Sequence, residues 1–167
     1  MSRLSLTLAV MLVLGLPLSS QSFAAQVSAS RAVAGGLPYH IPSLHDQGTV
    51  QPAAGHRLLI VTMTLSDEPI DTEVRRFVLV TSDGLLEPIG AGADDRLIVP
   101  FDRIPLGQEV GEILPSDAMI VLSRSSSSSV TLEVGARGTI AFLFDVPVAA
   151  SVRGLRLPDG RELIITP

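Results

Sequence analysis

The sequence predicts an all-β fold, an antiparallel β-sandwich of about 7–9 strands with one long irregular insertion at residues 102–129. The first observation is the segment 138–147, where apolar side chains alternate until Pro147 removes a backbone hydrogen-bond donor. The second is a similar alternation over residues 56–66. The third is that the other apolar runs are short, are separated by turn signals and include no convincing amphipathic helix. A closed barrel is the alternative architecture.

The two strongest strands predict where the core lies. Alternate residues of a strand point to opposite faces of the sheet, so each strand offers one apolar face to a core. The other face of the segment 138–147 carries Asp145, which we expect to be exposed or paired with an Arg such as Arg156. The residues predicted to form one core between two sheets are Leu59, Val61, Met63, Phe77, Phe142, Phe144 and Val146.

Residues 1–24 have the features of a secretory signal peptide. Arg3 is followed by an apolar run at residues 6–18, and small residues precede the expected cleavage after Ala24. The apolar run is shorter than the roughly 20 residues that a membrane span requires, which favours a cleaved signal over a retained anchor. We therefore expect a periplasmic or secreted protein.

The rest of the chain is predicted to form an N-terminal arm, flexible or extended, at residues 25–46 and a β-sandwich domain at residues 47–167. The arm is expected to be loose as far as about residue 37, because small residues follow one another there without a period. In the domain, strands are predicted at 48–52, 56–66, 74–81, 85–89, 96–101, 118–123, 130–134, 138–147, 154–157 and 162–166. An irregular connection is expected at 104–116 and a low-complexity loop at 125–129.

The composition excludes several classes of function. The chain has 17 acidic residues against 12 Arg and no Lys, a formal net charge of −5, so it lacks the basic surface that nucleic acid or an anionic membrane requires. It has no Cys, which excludes disulfides, thiolate nucleophiles, thiolate metal sites and a lipid-modified N-terminal Cys. An export signal without Cys is more typical of a bacterial envelope than of a eukaryotic secreted domain.

Several segments of the predicted domain, taken in order, resemble a known family. They are residues 55–57, 77–79, 83–84, 134–135, 142–147 and 155–157. Their order is similar to that of an immunoglobulin-like extracytoplasmic domain of unknown function found in secreted bacterial proteins and lipoproteins, whose last core strand is of the Phe-x-Val-Pro type. Phe144, Val146 and Pro147 match that strand, whereas the insertion at 102–129 departs from the family pattern. The resemblance implies an immunoglobulin-like sandwich and supplies no catalytic residue.

Metal ligands are sparse in this sequence. Its histidines are His40, His45 and His56. Their spacing does not predict a shared metal site, so we expect exposed loop histidines. Asp94 and Asp95, with Asp102 nearby, could offer oxygens to Ca²⁺, but paired acids beside glycine are more typical of a solvated turn. No metal or cofactor is predicted.

The serine run at 125–129 invites the interpretation of a catalytic nucleophile. A hydrolase serine sits on a strained elbow next to a base, and no Gly-x-Ser-x-Gly motif occurs in the chain. We therefore interpret the run as a flexible linker, and no catalytic residue is predicted.

Three classes of function remain open. The leading hypothesis is a non-catalytic extracytoplasmic module for protein–protein interaction or envelope assembly, whose partner is another extracytoplasmic protein or a second copy of the chain. The alternative is a periplasmic carrier of a small ligand or metal ion. The third is an enzyme, which would need a pocket that brings His45 or His56 to a carboxylate.

The partner contact is predicted within residues 104–129. One strand there is apolar on both faces, while Asp117 and Arg124 protect only its ends. Either two layers cover this strand, or a partner strand adds to its edge. The residues predicted to make the contact are Met119, Ile120, Val121 and Leu122.

Overall fold

The structure is a computed structural model that describes residues 25–65, 70–93, 97–113, 119–135 and 138–165. These residues form fifteen β-strands, paired antiparallel throughout, and 3-10 turns at Pro42–Leu44, Val74–Arg76 and Phe101–Arg103. The all-β prediction is therefore confirmed. No helix within these ranges is long and apolar enough to cross a membrane. The predicted signal peptide lies outside the described residues.

Four sheets are formed by the described strands. In chain order the strands are β1 (Ala25–Val33), β2 (Leu37–Ile41), β3 (Asp46–Val50), β4 (His56–Leu65), β5 (Ile70–Glu73), β6 (Val78–Thr81), β7 (Gly84–Leu86), β8 (Gly90–Gly92), β9 (Ile98–Pro100), β10 (Glu109–Ile113), β11 (Met119–Arg124), β12 (Val130–Val134), β13 (Thr139–Pro147), β14 (Val152–Arg156) and β15 (Glu162–Ile164). The central sheet has the order β1-β4-β13-β8-β9, the β11 sheet β10-β11-β12-β5, and the β14 sheet β15-β14-β6-β7, while β2 and β3 form a hairpin.

The long strands β4 and β13 are neighbours in the central sheet. Their pairing runs from Thr64 opposite Thr139 to His56 opposite Pro147. This register places the apolar faces of the two strands side by side, because residues directly opposite each other share a face. β1 pairs with the other edge of β4, and β8 pairs with the other edge of β13. The two strongest predicted strands are thus confirmed.

One hydrophobic core connects the three larger sheets and the hairpin. All seven residues predicted for the core are buried in this cluster. Phe77 and Phe142 stack there with ring centroids 4.7 Å apart. The β11 sheet contributes Ile120, Leu122, Leu132 and Val134, and the hairpin contributes Tyr39 and Ile41. The prediction of a single core is confirmed for these residues, with more elements contributing than the sequence indicated.

The opposite face of the central sheet is buried as well. Its cluster consists of Leu37, Leu58, Ile60, Ile98, Ala141 and Leu143. Leu37 pairs with Val50 at the open end of the β2–β3 hairpin, and both residues pack against this cluster. β13 is therefore covered on both faces. This double coverage explains why its sequence runs apolar without interruption from Ile140 to Phe144.

The predicted N-terminal arm is not loose in the structure. β1 pairs with β4, with a bulge between Val27 and Ala29, and residues 37–50 form the hairpin. Most β1 side chains are small and at least partly exposed. This strand is therefore defined by its backbone hydrogen bonds. Its sequence has no alternating apolar pattern from which it could be predicted.

The insertion also contains more regular structure than expected. β10 pairs with β11 where an irregular connection was predicted for residues 104–116. β8 forms between the predicted strands 85–89 and 96–101, where no strand was predicted. Its Gly90 is needed because a Cβ atom there would lie 2.9 Å from the carbonyl oxygen of Val99. Both strands contain glycine, which is depleted in strands and so hid them from prediction.

Candidate functional site

An open cleft of about 440 Å³ is the main candidate for a functional site in the described part of the chain. We call it the serine cleft. Its floor is formed by buried or partly buried apolar residues, namely Val50, Val74, Pro88, Ile89, Pro100, Phe101 and Val130. Its rim consists of exposed polar residues, namely Arg75, Glu87, Asp102, Ser127 and Ser128.

Distant parts of the chain meet at the serine cleft. Val50 ends β3, and Arg75 lies in the 3-10 turn that follows β5. Glu87 follows β7, whereas Phe101 begins the 3-10 turn after β9. Ser128 belongs to the loop between β11 and β12, which we call the serine loop and define as residues 125–129. The cleft is thus made by loops that the sheets hold in place.

The serine loop is hydrogen-bonded to its surroundings, in contrast to the flexible linker expected. The Arg124 guanidinium donates to the carbonyl oxygens of Ile104 at 2.9 Å, Asp102 at 3.3 Å and Ser126 at 3.2 Å. Backbone hydrogen bonds within the loop close the turn between β11 and β12. One arginine therefore ties the loop to the segment that follows β9.

Glu73 attaches the serine loop to the opposite rim of the cleft. One of its carboxylate oxygens accepts a hydrogen bond from Arg75 Nε at 2.9 Å, and the other accepts one from Ser129 Oγ at 3.0 Å. The hydrogen bond from Arg75, followed by that from Ser129, lowers the pKa of Glu73. The positive charge of Arg75 is therefore largely matched within the rim itself.

The remaining charges of the rim are acidic. Glu87 is exposed and has no ionic partner among the described residues. Asp102 has only a distant contact with its neighbour Arg103, at 3.8 Å between Nε and Oδ2, and its side chain is 75% exposed. Since Glu73 balances Arg75 and Arg103 lies close to Asp102, Glu87 is the unpaired charge of the rim in the described part of the chain.

His56 and Asp145 meet at the ends of β4 and β13. His56 Nδ1 lies 3.3 Å from Asp145 Oδ1, although the two atoms are not aligned for a hydrogen bond. The other carboxylate oxygen accepts from the backbone N–H of Ala53 at 3.3 Å. The expected pairing of Asp145 with Arg156 is wrong, because Arg156 lies 3.9 Å from Glu162 on the neighbouring strand. Register explains the change, since His56 and Asp145 share one face of the central sheet.

The other candidate ligands stay apart. His40 and His45 are exposed, and His45 has a φ of 53° after the first 3-10 turn. In the described ranges, no three His, Asp or Glu residues converge as a metal site would require. Asp94 and Asp95 lie outside the described residues, so the calcium hypothesis stays untested there.

The residues predicted to contact a partner lie on β11. Ile120 and Leu122 are 2% and 1% exposed and belong to the main core, whereas Val121 is partly exposed on the other face. β11 pairs with β10 on one edge and β12 on the other. Both edges of β11 are therefore occupied, and the prediction that a partner strand adds to its edge is wrong. Contact through the face that carries Val121 stays a prediction; the side chain of Met119 lies outside the described ones.

Sequence reasoning missed most of the serine cleft. Arg124 beside the serine run was a usable signal, because a guanidinium carries five N–H donors and can donate to several backbone carbonyls of a loop at once. Val50, Pro88 and Phe101 carried no such signal.

We compared the chain with known proteins, and no protein-family model, no curated protein and no solved structure matches it. The function is therefore argued from the geometry of this molecule.

Proposed function

We propose that the chain is a non-catalytic extracytoplasmic module that binds another protein, and that a segment of that protein docks in the serine cleft. The observation that carries the proposal is an apolar floor open to solvent inside a polar rim. This arrangement is typical of recognition sites, where the floor favours burial and the rim provides directional hydrogen bonds. The cleft volume of about 440 Å³ lies in the range of roughly 300–1,000 Å³ that ligand pockets have.

The charge of the rim indicates the chemistry of the docking segment. Glu87 and Asp102 face solvent on the rim, while Arg75 is balanced by Glu73. A partner segment that presents an apolar side chain next to Lys or Arg would cover the floor and match these carboxylates. The hydroxyls of Ser127 and Ser128 add hydrogen-bonding groups that suit a peptide backbone.

An immunoglobulin-like sandwich and export from the cytoplasm are part of the same proposal. The support for the fold is the packing of antiparallel sheets around a shared core. The support for export is the pattern of residues 1–24. A binding module fits better than an enzyme, because neither His56 nor Asp145 lines the serine cleft.

Site-specific photocrosslinking in the native host tests the proposal. A photoreactive residue at Ser128, on the cleft rim, should give a discrete adduct with another envelope protein. The matched control is the same residue at Ser125, which is exposed in the same loop but does not line the cleft. Glu87→Gln should reduce the Ser128 adduct, since it removes a rim charge. Equal adducts from both positions, or none, would contradict docking in the cleft. An adduct with a second copy would identify self-association.

A further inference from the structure

A second cleft lies between the central sheet and the β14 sheet. It has a volume of about 440 Å³, and we call it the arginine cleft. Its apolar wall includes Leu59 of β4 and Val152 of β14, together with Ile165 beyond β15. Ser30 and Ser151 add hydroxyl groups, and Arg57 supplies the single charge of the lining. The cleft is thus mainly apolar, with a cation at one place in its wall.

Arg57 is incompletely partnered. Leu59 and Arg57 share one face of β4, so the side chain of Arg57 extends from the end of the main core into the space between the sheets. One guanidinium NH2 group donates to the carbonyl oxygen of Ala150 at 3.4 Å. The Nε atom is buried and has no hydrogen-bond partner, and no carboxylate of the described residues lies within ion-pair distance of this side chain.

A buried donor on a cation without an anionic partner is costly, because the group has lost water and gained nothing in exchange. Asp145, a carboxylate near this end of the strands, cannot serve as the partner. Asp145 lies on the opposite face of the central sheet, where it contacts His56. Nε itself is shielded from the cleft, so an anion that enters the arginine cleft would instead balance the positive charge of the guanidinium, which has no carboxylate partner among the described residues.

We propose that the arginine cleft binds a small organic anion with an apolar chain, of the class of medium-chain aliphatic carboxylates. The carboxylate balances the charge of the Arg57 guanidinium and lies within reach of the serine hydroxyls. The chain packs against Leu59, Val152 and Ile165, where burial of apolar surface favours it. A neutral alcohol of the same length would leave the arginine unmatched, and an amine would be repelled by it. The proposal uses a different cleft from the proposed function and does not depend on it.

Octanoate is the probe, with 1-octanol and octylammonium as matched controls of equal chain length. Octanoate should raise the melting temperature of the purified chain, since a ligand that binds only the folded state stabilises it. Calorimetric titration should show that Arg57→Gln weakens octanoate binding about tenfold or more, as expected for loss of a hydrogen bond to a charged group. Arg153→Gln is the control, because Arg153 is exposed on β14 outside the cleft lining. This variant should bind octanoate with unchanged affinity.

A second variant keeps the test decisive if Arg57→Gln fails to fold. Ala32 lines the cleft from β1 but is exposed, so Ala32→Trp should be tolerated and should fill the cleft. Loss of octanoate binding in Ala32→Trp supports the proposal. Three results would overturn it: no octanoate binding, equal binding of 1-octanol, or undiminished binding in Ala32→Trp or a folded Arg57→Gln.

Discussion

At the scale of single residues, Glu73 is the carboxylate that joins two segments of the chain beside the serine cleft. It joins the 3-10 turn after β5 to the serine loop through Arg75 and Ser129. Its pKa is lowered mainly by the hydrogen bond from Arg75 and next by that from Ser129. A carboxyl group whose pKa is lowered by folding stabilises the folded state at a pH above its ordinary value of about 4.3. That contribution disappears as the pH falls through the lowered pKa.

Glu73→Gln should therefore lower the stability at neutral pH and flatten the loss of stability on acidification. The free energy of unfolding, measured by urea titration at steps between pH 7 and pH 3, checks this expectation. Glu109→Gln is a suitable control, since Glu109 is exposed on β10, stands opposite the neutral Ser123 and has no ionic partner among the described residues. An acid dependence in Glu73→Gln identical to that of the unmodified chain would contradict the role assigned to Glu73.

Phe142 is the residue on which the core depends most directly. It is 0% exposed and stacks on Phe77 across the core. We expect Phe142→Ala to destabilise the protein by about 3–5 kcal/mol, a large share of the stability of a small domain. Leu85→Ala, at a side chain that is 53% exposed, should stay within about 0.5 kcal/mol. A loss below about 1 kcal/mol for Phe142→Ala in denaturant melting would place its side chain outside the core.

At the scale of elements, the two faces of β11 allow a role in the core to be tested separately from a role in partner contact. Ile120 is buried in the main core, while its neighbour Val121 is partly exposed on the other face. Ile120→Lys should unfold the domain, because a buried ammonium group has no partner there. Val121→Lys should fold and, if this face contacts a partner, abolish the capture of that partner. Circular dichroism followed by a binding assay separates the two effects. Unfolding of both variants would exclude the contact.

β8 and β9 approach each other closely, so we expect substitution by alanine to change the stability differently at two strand glycines, Gly90 and Gly111. A Cβ atom on Gly90 would lie 2.9 Å from the carbonyl oxygen of Val99, so backbone must move, whereas a Cβ atom on Gly111 of β10 would meet its nearest neighbour at 4.0 Å. We expect Gly90→Ala to cost about 1–3 kcal/mol, as overpacking does, and Gly111→Ala to be neutral or slightly stabilising. Thermal melting of both variants compares them directly. Equal melting temperatures of the two variants would mean that β9 can move away from residue 90 at little cost in free energy.

The elements differ in how well the sequence predicts them, for a physical reason. β4 and β13 are long and strongly apolar because both faces of the central sheet are covered there, so both were predicted correctly. β1 and β10 are edge strands with small, glycine or charged residues, and their identity comes from the backbone of a neighbouring strand. No local pattern encodes such a partner. Asp145 shows the same limit at one position, since only the register of β13 against β4 selects His56 as its neighbour.

At the scale of the whole molecule, the clefts depend on how sheets and loops assemble. The serine cleft joins residues from β3, the turn after β5 and the loop before β12, so no spacing in the sequence could predict it. Its individual polar residues are ordinary surface residues when considered singly. The arginine cleft also requires two sheets, because Arg57 and Val152 belong to different ones.

The export prediction applies to the chain as a whole. Cleavage after Ala24 would remove the predicted signal and leave a chain that begins at Ala25, the first residue of β1. Intact-mass spectrometry of the protein isolated from its native host should find that mature mass. A mature form that retains residues 1–18 would contradict the prediction.

The position of β13 has a consequence for the order of events during folding. β4 is made early, yet its neighbour in the centre of the sheet is the thirteenth strand, and the core on both faces needs that strand. Pairing between segments so far apart along the chain is slow, because closure of the long intervening loop must come before any gain from contact. We therefore expect the central sheet to complete its core only after residue 147 has been synthesised, late in the growth of the chain.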